Sequence, residues 1–135
     1  MKNQAPFLYK VLSIAGSDTG GGAGIQADIK TITALGCYAT TVVTALTAQN
    51  SLGVHSIFAV PASFVGEQID VVMKDMGTDA VKTGMLLSKD IVDVVSARIK
   101  EYQIKHVVVD PVMLSKNGKK LLSPDAVRAL TSQLF

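Results

Sequence analysis

At 135 residues, 48% of them hydrophobic, the chain has enough apolar material for one compact domain and too little length for two ordinary ones. Thirteen basic and eleven acidic residues leave a formal charge of +2, scattered rather than clustered, which excludes a basic nucleic-acid surface as the organising feature. Lys, Asp or Gly interrupts each apolar run before about eighteen residues, the start has no secretory apolar stretch, and the single Cys37 forms no internal disulfide, so a cytoplasmic protein with no membrane partner is expected.

Residues 9–15 (YKVLSIA) form a short apolar run that reads as a strand ended by glycine. Five glycines, Gly16, Gly20, Gly21, Gly22 and Gly24, crowd residues 12–27, and residues 25–35 then take helical spacing until Gly36. Such a loop ahead of a helix exposes amides where an anion or a polar heterocycle can be held. Residues 38–46 are rich in β-branched side chains and predict a second strand, followed by a turn at 50–53 and a shorter extended piece over 53–60. Phe64, Ile69, Val72 and Met73 give an apolar helical face, and Ala80–Thr83 reads as a brief buried strand. Ser88 is placed to cap a helix bearing Ile91, Val92, Val95 and Ile99, and residues 106–110 (HVVVD) predict the next strand. Ser123, as N-cap, and Pro124 open the last helix, with Val127, Leu130 and Leu134 on one face, and the chain reaches Phe135 inside that helix, as a truncated end would.

Strand and helix alternate throughout, which predicts an α/β fold: a doubly wound, mostly parallel sheet with helices on both faces. Ligands bind beyond the carboxyl ends of such strands. That singles out residues 16–24, Gln49 with Asn50, Gly84 with Met85, and residues 110–113.

Gly22, Gly24 and Ala27 satisfy the dinucleotide-binding form G-x-G-x-x-G/A, but that fold wants an acidic residue near the end of its second strand. No Asp or Glu occurs between Asp28 and Glu67. The only Gly-Lys pair, Gly118 and Lys119, lacks the following Ser or Thr of a P-loop, which excludes a Walker-type site. His55 and His106 lie far apart without Cys or acidic residues at ligand spacing, which argues against a structural metal, and Cys37 has no neighbour that would activate a thiolate.

The segments GSDTGGGAGIQADIKT, ALTAQNSLGV, VKTGML and DPVM follow four strands in order, and together they closely resemble the hydroxymethylpyrimidine and phosphomethylpyrimidine kinases of thiamin biosynthesis. The resemblance runs from Val11 to nearly the end of the chain and implies a ribokinase-like fold that phosphorylates a pyrimidine's hydroxymethyl group, then its phosphate, with ATP and magnesium. It makes residues 1–135 the amino-terminal, substrate-binding part of a single kinase domain about twice as long, truncated at the carboxyl-terminal side. A homodimer is expected of the intact form.

Carried over to this sequence, the resemblance puts Gly16 and Ala23 in one wall of the pyrimidine pocket and Asp28 and Gln49 at the ring's polar edge. An aminopyrimidine offers a donor amino group and acceptor nitrogens, which a carboxylate and an amide can read together. Met85 and Val112 would be apolar walls, and Asp110 would face the phosphates and magnesium. Taken singly, these residues have plainer readings: Asp28 as a charge near a helix N-terminus, Gln49 and Asn50 as turn residues, Met85 as core and Asp110 as a turn former before Pro111. Related kinases of B6 vitamers, and a non-catalytic remnant that binds a pyrimidine or a partner protein, are the competing functions.

No second glycine-rich loop or acidic magnesium motif follows Asp110, so the base and the anion-stabilising donors are expected beyond residue 135. The isolated 135 residues are therefore expected to show little or no phosphoryl transfer in an ATP turnover assay with hydroxymethylpyrimidine. Robust turnover would contradict that expectation.

Overall fold

A computed structural model of the chain describes residues 8–115, 118 and 120–135. Strand and helix alternate as β1 (Lys10–Ser17), α1 (Gly24–Ala34), β2 (Tyr38–Asn50), β3 (Gly53–Ala59), α2 (Ala62–Asp75), β4 (Ala80–Thr83), α3 (Lys89–Glu101), β5 (Val107–Val109) and α4 (Pro124–Gln133). The sheet has the order β3-β2-β1-β4-β5. All neighbours pair in parallel except β2 and β3, which form an antiparallel hairpin at one edge.

The expected doubly wound architecture is present, and the alternation of side chains along the central strand explains how it is layered. Leu12 and Ile14 of β1 join Val42 and Val81 in a buried cluster with Val65 and Ile69 of α2, Ile91, Val92 and Val95 of α3, and Ala126 and Leu130 of α4. Ser13, between them in sequence, points the other way and donates to Asp28 of α1. Three helices thus cover one face and α1 covers part of the other. On that less covered face, β5 pairs Val108 opposite Lys82, and Val108 is 63% exposed.

Several boundaries depart from the expected ones for identifiable reasons. β1 and β2 both run further, to Ser17 and Asn50, so Gln49 and Asn50 are strand residues rather than the start of a turn. Their pairing with β3 keeps that end extended, with a register shift between Ala48 and Gln49. Phe64 is 52% exposed instead of buried, because α2 presents Val65, Gly66 and Ile69 to the core. Gly66 lets the two helices pack closely: a Cβ would stand 3.1 Å from Val94 of α3. Ser88 caps α3 by accepting from the Ile91 amide, whereas Ser123 makes no such bond and instead serves the carboxylate of Asp125. The last helix ends at Gln133, before the chain's final residues.

α2 and α3 are clamped by a polar group at their margin. Arg98 places Nε 2.7 Å from Asp70 Oδ1 and donates from Nη2 to Oδ2 at 3.1 Å, and the Tyr102 hydroxyl donates to Oδ1 at 3.0 Å. Burial acts to raise the Asp70 pKa, but the hydrogen bonds from Arg98 and Tyr102 and the Arg98 charge outweigh it and hold the carboxyl below its ordinary value. A carboxyl lowered on folding adds stability above its unfolded pKa and loses it as pH falls through the folded one. Asp70→Asn is therefore expected to lower the Tm at neutral pH, with the gap from wild type closing in the acid range. Thermal unfolding across a pH series checks this; a gap that stays constant with pH would rule out the assignment.

Candidate functional site

A cleft of about 690 Å³ lies at the carboxyl ends of the parallel strands, between the glycine loop, the β2–β3 hairpin and the segment after β5. Gly16, Ala23, Asp28, Gln49, Met85, Asp110 and Val112, all singled out from sequence, line it together. They come from four separate parts of the chain, and the sheet order brings them to one place.

The glycine loop, residues 18–23, is built around a side chain that sequence reasoning passed over. Asp18 is 6% exposed, and its carboxylate accepts from the amides of Gly20 (2.8 Å), Gly22 (2.9 Å) and Ala23 (2.9 Å). The loop amides expected to hold a ligand anion are therefore occupied by an anion of the chain itself. Gln26 of α1 braces the same turn, accepting from the Asp18 amide at 2.8 Å and donating to the Ser17 hydroxyl at 2.7 Å. Because Asp18 serves the amides ahead of α1, the helix starts at Ala23 without a side-chain cap.

Two close approaches fix the loop against the sheet. Gly24 has φ +58°, and a Cβ there would lie 2.2 Å from the Gly16 carbonyl oxygen, so no larger residue fits. Gly16 is packed by Met85, whose Cε would be 2.4 Å from a Cβ added at position 16. Thr19 ties the loop to the end of β2: its hydroxyl donates to the Gln49 carbonyl and accepts from the Gln49 amide at 2.9 Å. Thr47 adds a bond to the Ser17 carbonyl at 2.8 Å, and its hydroxyl lies 3.5 Å from the Gln49 side-chain oxygen. Gln49 is thus held through its backbone at the cleft wall.

Met85 is 8% exposed and packs with Ala45 and Leu121, with Val112 partly buried against them. Its carbonyl accepts from the buried Thr44 hydroxyl at 2.6 Å, which pins the turn after β4. Met85 is therefore both core and cleft lining, so its two readings are compatible.

The acidic residues differ in what engages them. Asp28 is not a first-turn helix charge, since α1 has no acidic residue there. Its carboxylate accepts from Ser13 at 2.6 Å and from Lys82 at 3.1 Å on each oxygen. Asp110 follows β5 with its side chain 52% exposed and 3.5 Å from Lys82. Lys82 was not anticipated, although a charge inside the buried strand AVKT was a signal for it. No group of three or more His, Cys, Asp or Glu is placed to hold a metal among the described residues.

Removing the Asp18 carboxylate would take away the shared charged acceptor of three loop amides. Asp18→Ala is expected to cost about 1–3 kcal/mol, read by urea unfolding. An unchanged midpoint would show that the loop is held by something else.

Comparison with known proteins places this geometry in context. A family model described as phosphomethylpyrimidine kinase matches residues 18–135. The chain is 53% identical over 124 residues to the hydroxymethylpyrimidine/phosphomethylpyrimidine kinase of Escherichia coli K12, covering 92% of this chain and 47% of that protein. A crystal structure of phosphomethylpyrimidine kinase from Clostridium difficile 630 superposes with a TM-score of 0.87 at 45% identity, covering 93% of this chain and 55% of that one. An ADP complex of Bacillus subtilis pyridoxal kinase gives 0.83 at 39% identity, over 95% and 47% of the two chains. The chain spans about a quarter to a half of the length of the curated relatives it matches.

Proposed function

Because this chain belongs to the phosphomethylpyrimidine kinase family, we propose that its cleft is the substrate half of an enzyme that phosphorylates 4-amino-5-hydroxymethyl-2-methylpyrimidine and its monophosphate with ATP. The observation that carries this reading is the convergence of the glycine loop, Gln49, Met85, and Asp110 with Val112 on one cleft. Gln49 presents an amide with a donor and an acceptor, which matches the two kinds of group on an aminopyrimidine edge. Each Asp28 oxygen has more than one lone pair, so the carboxylate can accept from the ring amino group while it remains bonded to Ser13 and Lys82. Met85 and Val112 offer a flat ring an apolar wall, and the thioether adapts to its outline. Gly16 admits the Met85 side chain beside the cleft, and Ala23 adds only a methyl group to the loop wall.

Magnesium ATP supplies the phosphoryl group and neutralises its charge when bound. Asp110 is the described carboxylate suited to face that metal, and the donors for the transferring group are assigned to the remainder of a kinase of the relatives' length. A cytoplasmic setting fits a chain in which no described helix is long and apolar enough to cross a membrane. A homodimer is favoured by the exposed cross-strand pair Leu46 and Phe58, 50% and 69% accessible on the edge hairpin.

Calorimetry with hydroxymethylpyrimidine beside pyridoxal tests the substrate. The pyrimidine is expected to bind more tightly, and preference for pyridoxal would move the chain toward B6-vitamer kinases. Gln49→Ala is expected to weaken pyrimidine binding by about 1–3 kcal/mol and to weaken ATP binding less. Equal weakening of both would remove Gln49 from the ring edge.

A further inference from the structure

Three carboxylates line the cleft, and among the described lining residues Lys82 is the cation that faces them. Asp18 is satisfied by the loop amides, which leaves Asp28 and Asp110 as the groups Lys82 answers. Lys82 occupies an unusual place for a charge: the middle of β4, between the buried Val81 and Thr83. Its side chain is 24% exposed and runs along the sheet face to the cleft, where a Cβ on Gly84 would stand 3.2 Å from Nζ.

The ammonium carries three N–H bonds. Asp28 anchors it at 3.1 Å on both oxygens, and Ser13 holds the Asp28 carboxylate in that orientation. Asp110 holds the remaining side more loosely, at 3.5 Å, and is itself half exposed. Lys82 is thus fixed by Asp28, and its longer contact with the half-exposed Asp110 is the one that a ligand oxygen can take over.

We propose that Lys82 is the residue that recognises the phosphate of a phosphomonoester substrate. Remaining anchored to Asp28, it gives the N–H that faces Asp110 to a phosphate oxygen. Resting on the pyrimidine reading above, this explains how one cleft admits both a neutral alcohol and its anionic monophosphate. The alcohol meets Gln49 and the apolar walls and has no need of the cation. The monophosphate brings added negative charge into a cleft lined by carboxylates, where like charges repel and a single charge-assisted bond decides entry.

Calorimetric titration of the chain with hydroxymethylpyrimidine and with its monophosphate tests the proposal. Lys82→Met is expected to weaken the monophosphate by about tenfold or more and the alcohol by less than about threefold, while Lys82→Arg retains most of the monophosphate affinity. Parallel loss of both ligands, or an unchanged monophosphate, overturns the proposal. Should Lys82→Met fail to fold with Asp28 unpaired, the Asp28→Asn/Lys82→Met double variant removes the orphaned charge, and the same preferential loss of the monophosphate is expected. If the wild-type chain binds neither compound, the pyrimidine reading fails and this one with it; if it binds the alcohol alone, only the present proposal fails.

Discussion

With three loop amides donating to the Asp18 carboxylate, residues 18–23 are held in shape by the chain itself and need no ligand to organise them. Much of the cleft depends on this arrangement. It brings Gly24 against the Gly16 carbonyl, starts α1 at a defined point on the sheet, and carries Thr19 to the end of β2. A hydrogen bond to a charged acceptor is stronger than one between neutral groups, and burial at the loop's centre protects it from screening. The glycines are therefore geometric. They let the backbone fold around one carboxylate and pass close to the strand, and they leave the surface beyond them free for a planar ligand.

Three carboxylates at the same end of one sheet thereby serve different ends, and their surroundings separate them. Asp18 is buried and shapes backbone. Asp28 is partly buried, bonded to Ser13 and Lys82, and connects α1 to β4 across the face of β1. Asp110 stands more than half exposed at the rim, tied to the same lysine by a longer contact. The order from Asp18 to Asp110 runs from structural rigidity to availability, which is the gradient a binding site requires between its frame and the groups that meet a ligand.

The element order and the cleft were legible in the sequence because they follow from local pattern. Ala80–Thr83 reads as a brief buried strand, Ser88 opens a helical period, and ligand sites in open parallel sheets lie past the strand ends. The family resemblance supplied the association of Gln49, Met85 and Val112 with a pyrimidine. What escaped reading depends on distances that sequence does not carry. Asp18 precedes a threonine and three glycines as an ordinary turn former would, and nothing local says that its oxygens collect amides from two to five residues ahead. Lys82 meets Asp28 across 54 positions, and that pairing exists only after β4 has aligned beside β1. The extension of β2 through Asn50 likewise depends on its partner β3, since Gln and Asn have little strand preference of their own.

Gly16 and Met85 share a single volume, because the Met85 methyl fills the space that a side chain at position 16 would take. They are 69 positions apart and belong to different strand ends, yet neither can change size independently. A residue larger than glycine at position 16 has to displace the thioether. A shorter residue at position 85 opens a hollow beneath the loop that an alanine at position 16 would refill. Across descendants of this fold the two sites should therefore drift as a pair.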